Sequence, residues 1–157
     1  MIVHRIHISD SVKNLSVTSV AFKEHCYIPS KYTSDGENIN PPLSIHEIPK
    51  NTKSLVLLVE DPDAMVGTWI HWVVWNIKPS GEILEKSVPG IEGINDFRKR
   101  HYCGPCPPSG IHRYYFKVYA LNGLLDLNST ATILDLEKAM TPLLIAFGEI
   151  MGVYRRY

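Results

Sequence analysis

Four stretches of the chain carry strand-type hydrophobic patterns. Residues 55–59 read Leu-Val-Leu-Leu-Val, a continuous apolar run of strand length, which predicts a strand covered on both faces. Residues 69–77 read Trp-Ile-His-Trp-Val-Val-Trp-Asn-Ile and residues 112–121 read His-Arg-Tyr-Tyr-Phe-Lys-Val-Tyr-Ala-Leu. Both are rich in aromatic and β-branched side chains, which suit a pleated surface, and both are read as strands. Residues 15–22 alternate roughly and include Val17, Thr18, Val20 and Phe22, which predicts a fourth strand. Between 22 and 55 the breakers Pro29, Ser34-Asp35-Gly36 and Asn40-Pro41-Pro42 predict ordered loop with short strands. Residues 78–112 form a long connection rich in glycine and proline. Connections of that length inside a domain are usually functional or disordered.

The C-terminal pattern differs. Thr132 is placed to cap a helix carrying Leu134, Leu136, Ala139 and Met140, with Asp135 three residues after the cap. Pro142 ends or kinks that helix. Residues 143–154, with Gly148 and Gly152, read as a helical turn followed by a strand. Many strands and one late helix predict a mainly β fold, a β-sandwich or related α+β domain. A length of 157 residues suits one domain over 1–157, large enough to bury about two thirds of its unfolded surface.

Charge removes some functions. Sixteen Lys and Arg balance sixteen Asp and Glu, so the chain has no electrostatic footprint for nucleic acid. The clusters Arg98-Lys99-Arg100 and Arg155-Arg156 read as ordinary surface charge. No apolar run approaches the ~18 residues of a membrane span. Residues 1–7 lack the long apolar stretch of an export leader, so a cytoplasmic location is expected. Three cysteines, Cys26, Cys103 and Cys106, do not form the even set of a disulfide scaffold.

Candidate chemistry lies in three places. Asp61-Pro62-Asp63 ends the apolar strand, and two carboxylates two apart on extended chain point to one side. As a motif alone it also reads as a strand-ending turn. His71 interrupts the aromatic strand, where a histidine is more often a satisfied core residue than a ligand. Residues 102–114 contain Gly104, Pro105, Pro107, Pro108 and Gly110 ahead of His112. Such a fixed, glycine-containing path lets backbone N–H groups face an anion. Within it, Cys103-Gly104-Pro105-Cys106 has the form of a dithiol redox motif. That chemistry needs the first cysteine at a helix N-terminus, and here two prolines and a strand follow. A zinc site from His101, Cys103, Cys106 and His112 would rest on a single paired half, which is a weak signal.

In order along the chain, these blocks resemble the phosphatidylethanolamine-binding protein family, in its bacterial and archaeal Raf-kinase-inhibitor-like branch. The resemblance runs from about residue 15 to the C-terminus. It is carried by the run from Tyr32 to Leu43, by Asp61-Pro62-Asp63-Ala64, by the strand holding His71, and by Asn95-Asp96-Phe97, Gly104-Pro105-Cys106-Pro107-Pro108 and His112-Arg113-Tyr114. It implies a Greek-key antiparallel β-sandwich with a small C-terminal helical region. It also implies a shallow pocket for phosphate or a phosphoethanolamine head group, lined or shaped by Asp61, Asp63, His71, Pro105, His112 and Tyr114. Gly104 joins this set through its loop. Members of the family are reported as head-group binders, kinase regulators or protease inhibitors, and some look dimeric. The chain departs from the pattern at Met65, where proline is usual, at Arg98, where glycine is usual, at Cys103, and at Pro142.

The expectation is therefore a non-enzymatic protein with no cofactor and no resident metal. In it Asp61 and Asp63 orient the histidines and the loop, while His71, His112 and loop N–H groups meet the anion. Two alternatives stay open: a kinase or protease inhibitor working through its surface, and a metal-dependent hydrolase using the Asp/His cluster.

Overall fold

The computed structural model describes residue 6 and residues 8–156, so most of the stretch read for an export leader lies outside the described residues. Nine strands occur among the described residues: β1 (Lys13–Asn14), β2 (Ser16–Thr18), β3 (Leu43–His46), β4 (Ser54–Asp61), β5 (Trp69–Ile77), β6 (Glu82–Ile83), β7 (Ile91–Glu92), β8 (Gly110–Leu121) and β9 (Leu144–Arg156). One helix, α1 (Ile133–Met140), precedes β9. The strands form a six-stranded sheet in the order β1-β9-β8-β4-β5-β7 and a three-stranded sheet in the order β2-β3-β6.

The continuous apolar run becomes β4, and all of its residues are buried. Its side chains alternate between two cores, as the period of two requires. Leu55, Leu57 and Val59 join a cluster that includes Val17, Leu43, Ile45 and Ile83 of the three-stranded sheet. Val56 and Leu58 join a second cluster with Leu136 and Met140 of α1 and with Trp75 of β5. One face of the large sheet thus packs against the small sheet and the other against the helix. The predicted strand at 69–77 is β5 with the same bounds, and β8 begins two residues before the predicted 112.

Helix α1 starts as expected. Thr132 Oγ1 accepts from the Asp135 N–H at 3.1 Å and the Asp135 carboxylate accepts from the Thr132 N–H at 2.9 Å, a reciprocal capping box. A 3-10 turn over Thr141–Leu143, with Pro142 inside it, ends the helix and turns the chain into β9.

The strand predicted over 15–22 does not form as one element. Residues 13–14 run parallel to β9, Leu15 N–H donates to Phe147 O at 2.8 Å, and the chain then crosses to pair β2 with β3. The segment changes sheets at Leu15 and leaves strand geometry after Thr18, with Val20 92% exposed. Its alternation reflects two short pairings with different partners.

Gly148 permits that crossing. A Cβ there would lie 2.3 Å from Leu15 O, a backbone atom with little freedom to retreat. Gly148→Ala is expected to destabilise the protein by about 1–3 kcal/mol in urea denaturation, the range for forced overpacking.

Candidate functional site

The end of β4 and the starts of β5 and β8 lie together at one end of the large sheet. Asp61 is the last residue of β4 and pairs with Trp69, the first of β5. His112 lies near the start of β8. Together with the 62–68 loop and the turns after β7, these ends enclose a pocket of about 200 Å³ lined by Asp61, His71 and His112. Its walls are apolar: Met65, Trp69, Phe97 and Pro108.

His71 reaches the pocket through a β-bulge. Val59 pairs with Trp72 while Glu60 pairs with Ile70, so His71 is an extra residue on β5. A bulge re-aims a side chain that regular alternation would send elsewhere. The ring stands edge-on to Phe97 at 5.0 Å and to Tyr114 at 5.4 Å. Its Nδ1–H donates to the Cys103 carbonyl at 2.6 Å. Burial lowers the pKa of His71, and the Cys103 bond and the charge of Asp61 only partly oppose this. Burial therefore holds the imidazole toward its neutral form.

His112 is oriented differently. Its Nδ1–H donates to Asp61 Oδ2 at 2.7 Å, with the His and Asp side chains only 12% and 5% exposed. Asp61 Oδ1 accepts from the Asp63 N–H at 2.8 Å, closing a small turn at the strand end. Tyr114 lies beneath both histidines, and its ring stacks with His112 at 6.5 Å. Its hydroxyl is buried without a hydrogen-bond partner among the described residues. Burial, followed by the negative charge of Asp61, holds the phenol protonated well above its usual range.

Two expectations need correction. Asp63 does not share the pocket with Asp61. The turn after Asp61 swings its carboxylate to Arg113, where it accepts from the backbone N–H at 2.9 Å, from Nε at 3.0 Å and from Nη2 at 2.8 Å. These bonds to Arg113 hold the Asp63 carboxyl below its usual range. The parity argument assumed extended chain, and β4 ends at Asp61. Gly104 also does not offer its N–H to the pocket: it donates to Asn38 Oδ1 at 2.7 Å. A Cβ on Gly104 would lie 2.2 Å from Tyr32 O, so the glycine serves close packing. The Pro105 carbonyl accepts from Ser34 N and Oγ, each at 3.0 Å. Gly104 and Pro105 thus support the pocket from behind.

Asn95 is a structural centre that the sequence reading named only as part of a resemblance block within the long 78–112 connection. It is 4% exposed. Its Nδ2 donates to the carbonyls of His71 at 2.8 Å and His101 at 3.0 Å, and its Oδ1 accepts from the N–H groups of Phe97 and Lys99 at 3.0 Å each. Asp96 adds a second clamp, accepting from the Ile70 N–H at 2.7 Å. Arg98, where the resemblance calls for glycine, sits in the left-handed region at φ 61°. Met65 forms an exposed lip, and no cis peptide occurs among the described residues.

All three cysteines are free. Burial raises the pKa of Cys103 and Cys106, the opposite of what dithiol exchange needs, and β8 rather than a helix follows them. Among the described residues no three His, Cys, Asp or Glu side chains converge in an arrangement able to hold a metal ion. A larger groove of about 450 Å³ lies on the helix-bearing face of the large sheet. Its cations are already engaged, Arg113 with Asp63 and Lys117 with Glu60 at 2.9 Å. The smaller pocket gathers the histidines and is the stronger candidate.

Comparison with known proteins agrees with this fold. The family model described as phosphatidylethanolamine-binding protein matches residues 18–155. A UPF0098 protein of Pyrococcus abyssi is 48% identical over 153 residues, covering 90% of this chain and 85% of the relative. A UPF0098 protein of Methanothermobacter thermautotrophicus is 43% identical over 150 residues, covering 90% and 99%. Among solved structures, CT736 of Chlamydia trachomatis, described as a homologue of phosphatidylethanolamine-binding protein, superposes with a TM-score of 0.88 at 40% identity, covering 92% of this chain and 99% of that one. YbcL of E. coli, described as a new member of the mammalian family, superposes at 0.83 with 28% identity, covering 91% and 99%.

Two outcomes follow from the site's construction. Unfolded His71 takes up a proton near its ordinary value of 6.5, and folded His71 resists it. The unfolded state then binds more protons, so stability falls as pH drops through this region and gains nothing further above it. Denaturation across pH should show a steeper loss below about pH 6.5 in wild type than in His71→Gln. Asn95→Ala removes the side-chain bonds to two carbonyls and two N–H groups, with the His71 carbonyl keeping only its bond from the Cys103 N–H at 3.3 Å, and should destabilise by at least about 2 kcal/mol in urea denaturation.

Proposed function

The chain belongs to the phosphatidylethanolamine-binding protein family, and on that premise we propose that its pocket binds a small anion without converting it. The ligand class is phosphate, alone or as the phosphoethanolamine group. The observation that carries this reading is the buried His112–Asp61 pair beside His71 in one pocket of about 200 Å³. Asp61 takes the Nδ1–H of His112 and so leaves Nε2 as the ring's second polar atom.

Two carboxylates near an anion site would oppose binding, but their charges are spent locally. Arg113 neutralises Asp63 outside the pocket. Within the pocket, Asp61 is engaged by the Nδ1–H of His112 at 2.7 Å. Burial pushes the pKa of His71 down, and an arriving anion favours its protonation. Binding and proton uptake are therefore coupled, and affinity strengthens as pH falls. A zwitterionic head group would also place its ammonium near Asp61. Micromolar to millimolar affinity suits a site this small.

The role served by such binding is regulatory or inhibitory. A second reading, an acidic or phosphorylated group presented by a kinase or protease target, is favoured by the exposed lip of Met65 and Val66, 95% and 58% exposed. The metal-hydrolase alternative lacks a converging donor set among the described residues.

An NMR titration with phosphate and with phosphoethanolamine, chelator present, tests the reading. Saturable shifts should cluster on residues 61–71 and 102–114 and weaken at least about tenfold in His112→Ala. Affinity should increase from about pH 8 to about pH 6. Absence of a saturable shift by ~10 mM would overturn the pocket assignment. A phosphopeptide binding far more tightly than free phosphate would favour the protein-partner reading.

A further inference from the structure

Anion binding leaves one pocket group without a task. Cys106 lines the same pocket as Asp61 and His112. Its thiol makes no hydrogen bond among the described residues, whereas Cys103 Sγ accepts from Asn95 Nδ2 at 3.4 Å. The His112 ring is held by Asp61 through Nδ1, so in neutral imidazole Nε2 carries the free lone pair. A thiol, a base and a carboxylate orienting that base therefore share one small cavity. Nucleophilic side chains are activated by this grouping, and the nucleophile–base contact is often loose when no substrate is bound.

Tyr114 adds an independent sign of a ligand. Its ring packs on His71 and His112, and its hydroxyl lies against Asp61 and Cys106, two residues that line the pocket. That hydroxyl is fully buried and makes no well-formed hydrogen bond although Asp61 and the Cys106 backbone lie beside it, and its environment keeps it protonated and hence a donor. An unused donor beside a thiol matches the need of a carbonyl oxygen gathering negative charge. Attack on a disulfide develops no such oxyanion. A peptide-sized disulfide would also not fit a pocket of about 200 Å³ with apolar walls.

We propose that Cys106 is a covalent acylation site that accepts the acyl group of a small activated ester or thioester, with His112 as its base. His112 Nε2 takes the Sγ proton as sulfur adds to the carbonyl carbon. The bond from that carbon to the ester oxygen or thioester sulfur then breaks. The leaving alcohol or thiol departs with the proton returned by His112, and Cys106 keeps the acyl group as a thioester. No oxidation or reduction occurs. The inference uses the proposed pocket but not its occupation by an anion.

Burial raises the pKa of the Cys106 thiol, while Cys26 is exposed. Without a local base, Cys26 would react first. The test treats the full chain, reduced, with 4-nitrophenyl acetate and follows acetylation of each cysteine by mass spectrometry. Cys106 is expected to acetylate at least about tenfold faster than Cys26 and Cys103, a threshold set below the roughly 10²–10⁴-fold of general-base assistance. His112→Gln and Asp61→Asn should each slow Cys106 by a similar factor and leave the Cys26 rate unchanged. If a variant fails to fold, the Cys106-to-Cys26 ratio in folded against urea-unfolded wild type decides, since the preference should vanish on unfolding. Faster labelling of Cys26, or a Cys106 rate indifferent to His112, would overturn the inference. Phosphate-induced shifts without Cys106 acetylation would sink this inference and leave the anion pocket standing. Acetylation without those shifts would do the reverse.

Discussion

A strand of eight residues with every side chain buried has no face to offer water, and β4 imposes that condition on the molecule. Apolar surface on both sides must be covered, and each side takes a different cover. The three-stranded sheet meets Leu55, Leu57 and Val59, and α1 meets Val56 and Leu58. The flanking strands β5 and β8 satisfy the backbone of β4 along both edges. The end of β4 is consequently a fixed point, and Asp61 stands on it with the starts of β5 and β8 beside it. The pocket is where the most constrained strand stops.

Polar groups around that point are tied to backbone more than to one another. Asn95 links β5 to the 97–99 turn and to His101, while Asn38 and Ser34 fix the loop at Gly104 and Pro105. A buried amide side chain can do this because it offers donors and acceptors together, and each satisfied bond avoids a desolvation penalty. Charges are paired close to where they arise, Asp63 with Arg113 and Asp61 with His112. What remains facing the cavity is an oriented histidine, a second, buried histidine and a thiol against apolar walls. Such a site can take a small anion or hold a small electrophile without a large opposing field.

Much of the fold was legible because its signals are local. The apolar run at 55–59 and the aromatic run at 69–77 specify strands by composition and period. Thr132, Asp135 and Pro142 specify where a short helix starts and stops, since caps and proline act within one turn. The family blocks named Asp61, His71, His112 and Tyr114, and the structure brings these four side chains to one place.

The rest depended on contacts that residue types cannot report. Parity put Asp63 beside Asp61, but the strand ends at Asp61 and an arginine fifty residues away captures Asp63. Glycine at 104 suggested a free N–H, whereas the backbone of Tyr32 and the side chain of Asn38 use the space and the hydrogen bond. The alternation at 15–22 concealed a change of sheet at Leu15, and the bulge that turns His71 into the pocket leaves no mark in the composition of β5. The chain by itself determined which segments become strands and helix, because periodicity and capping are properties of neighbouring residues. Only the tertiary structure decided which side chains meet, because register, bulges and long-range hydrogen bonds are set by the partner strand.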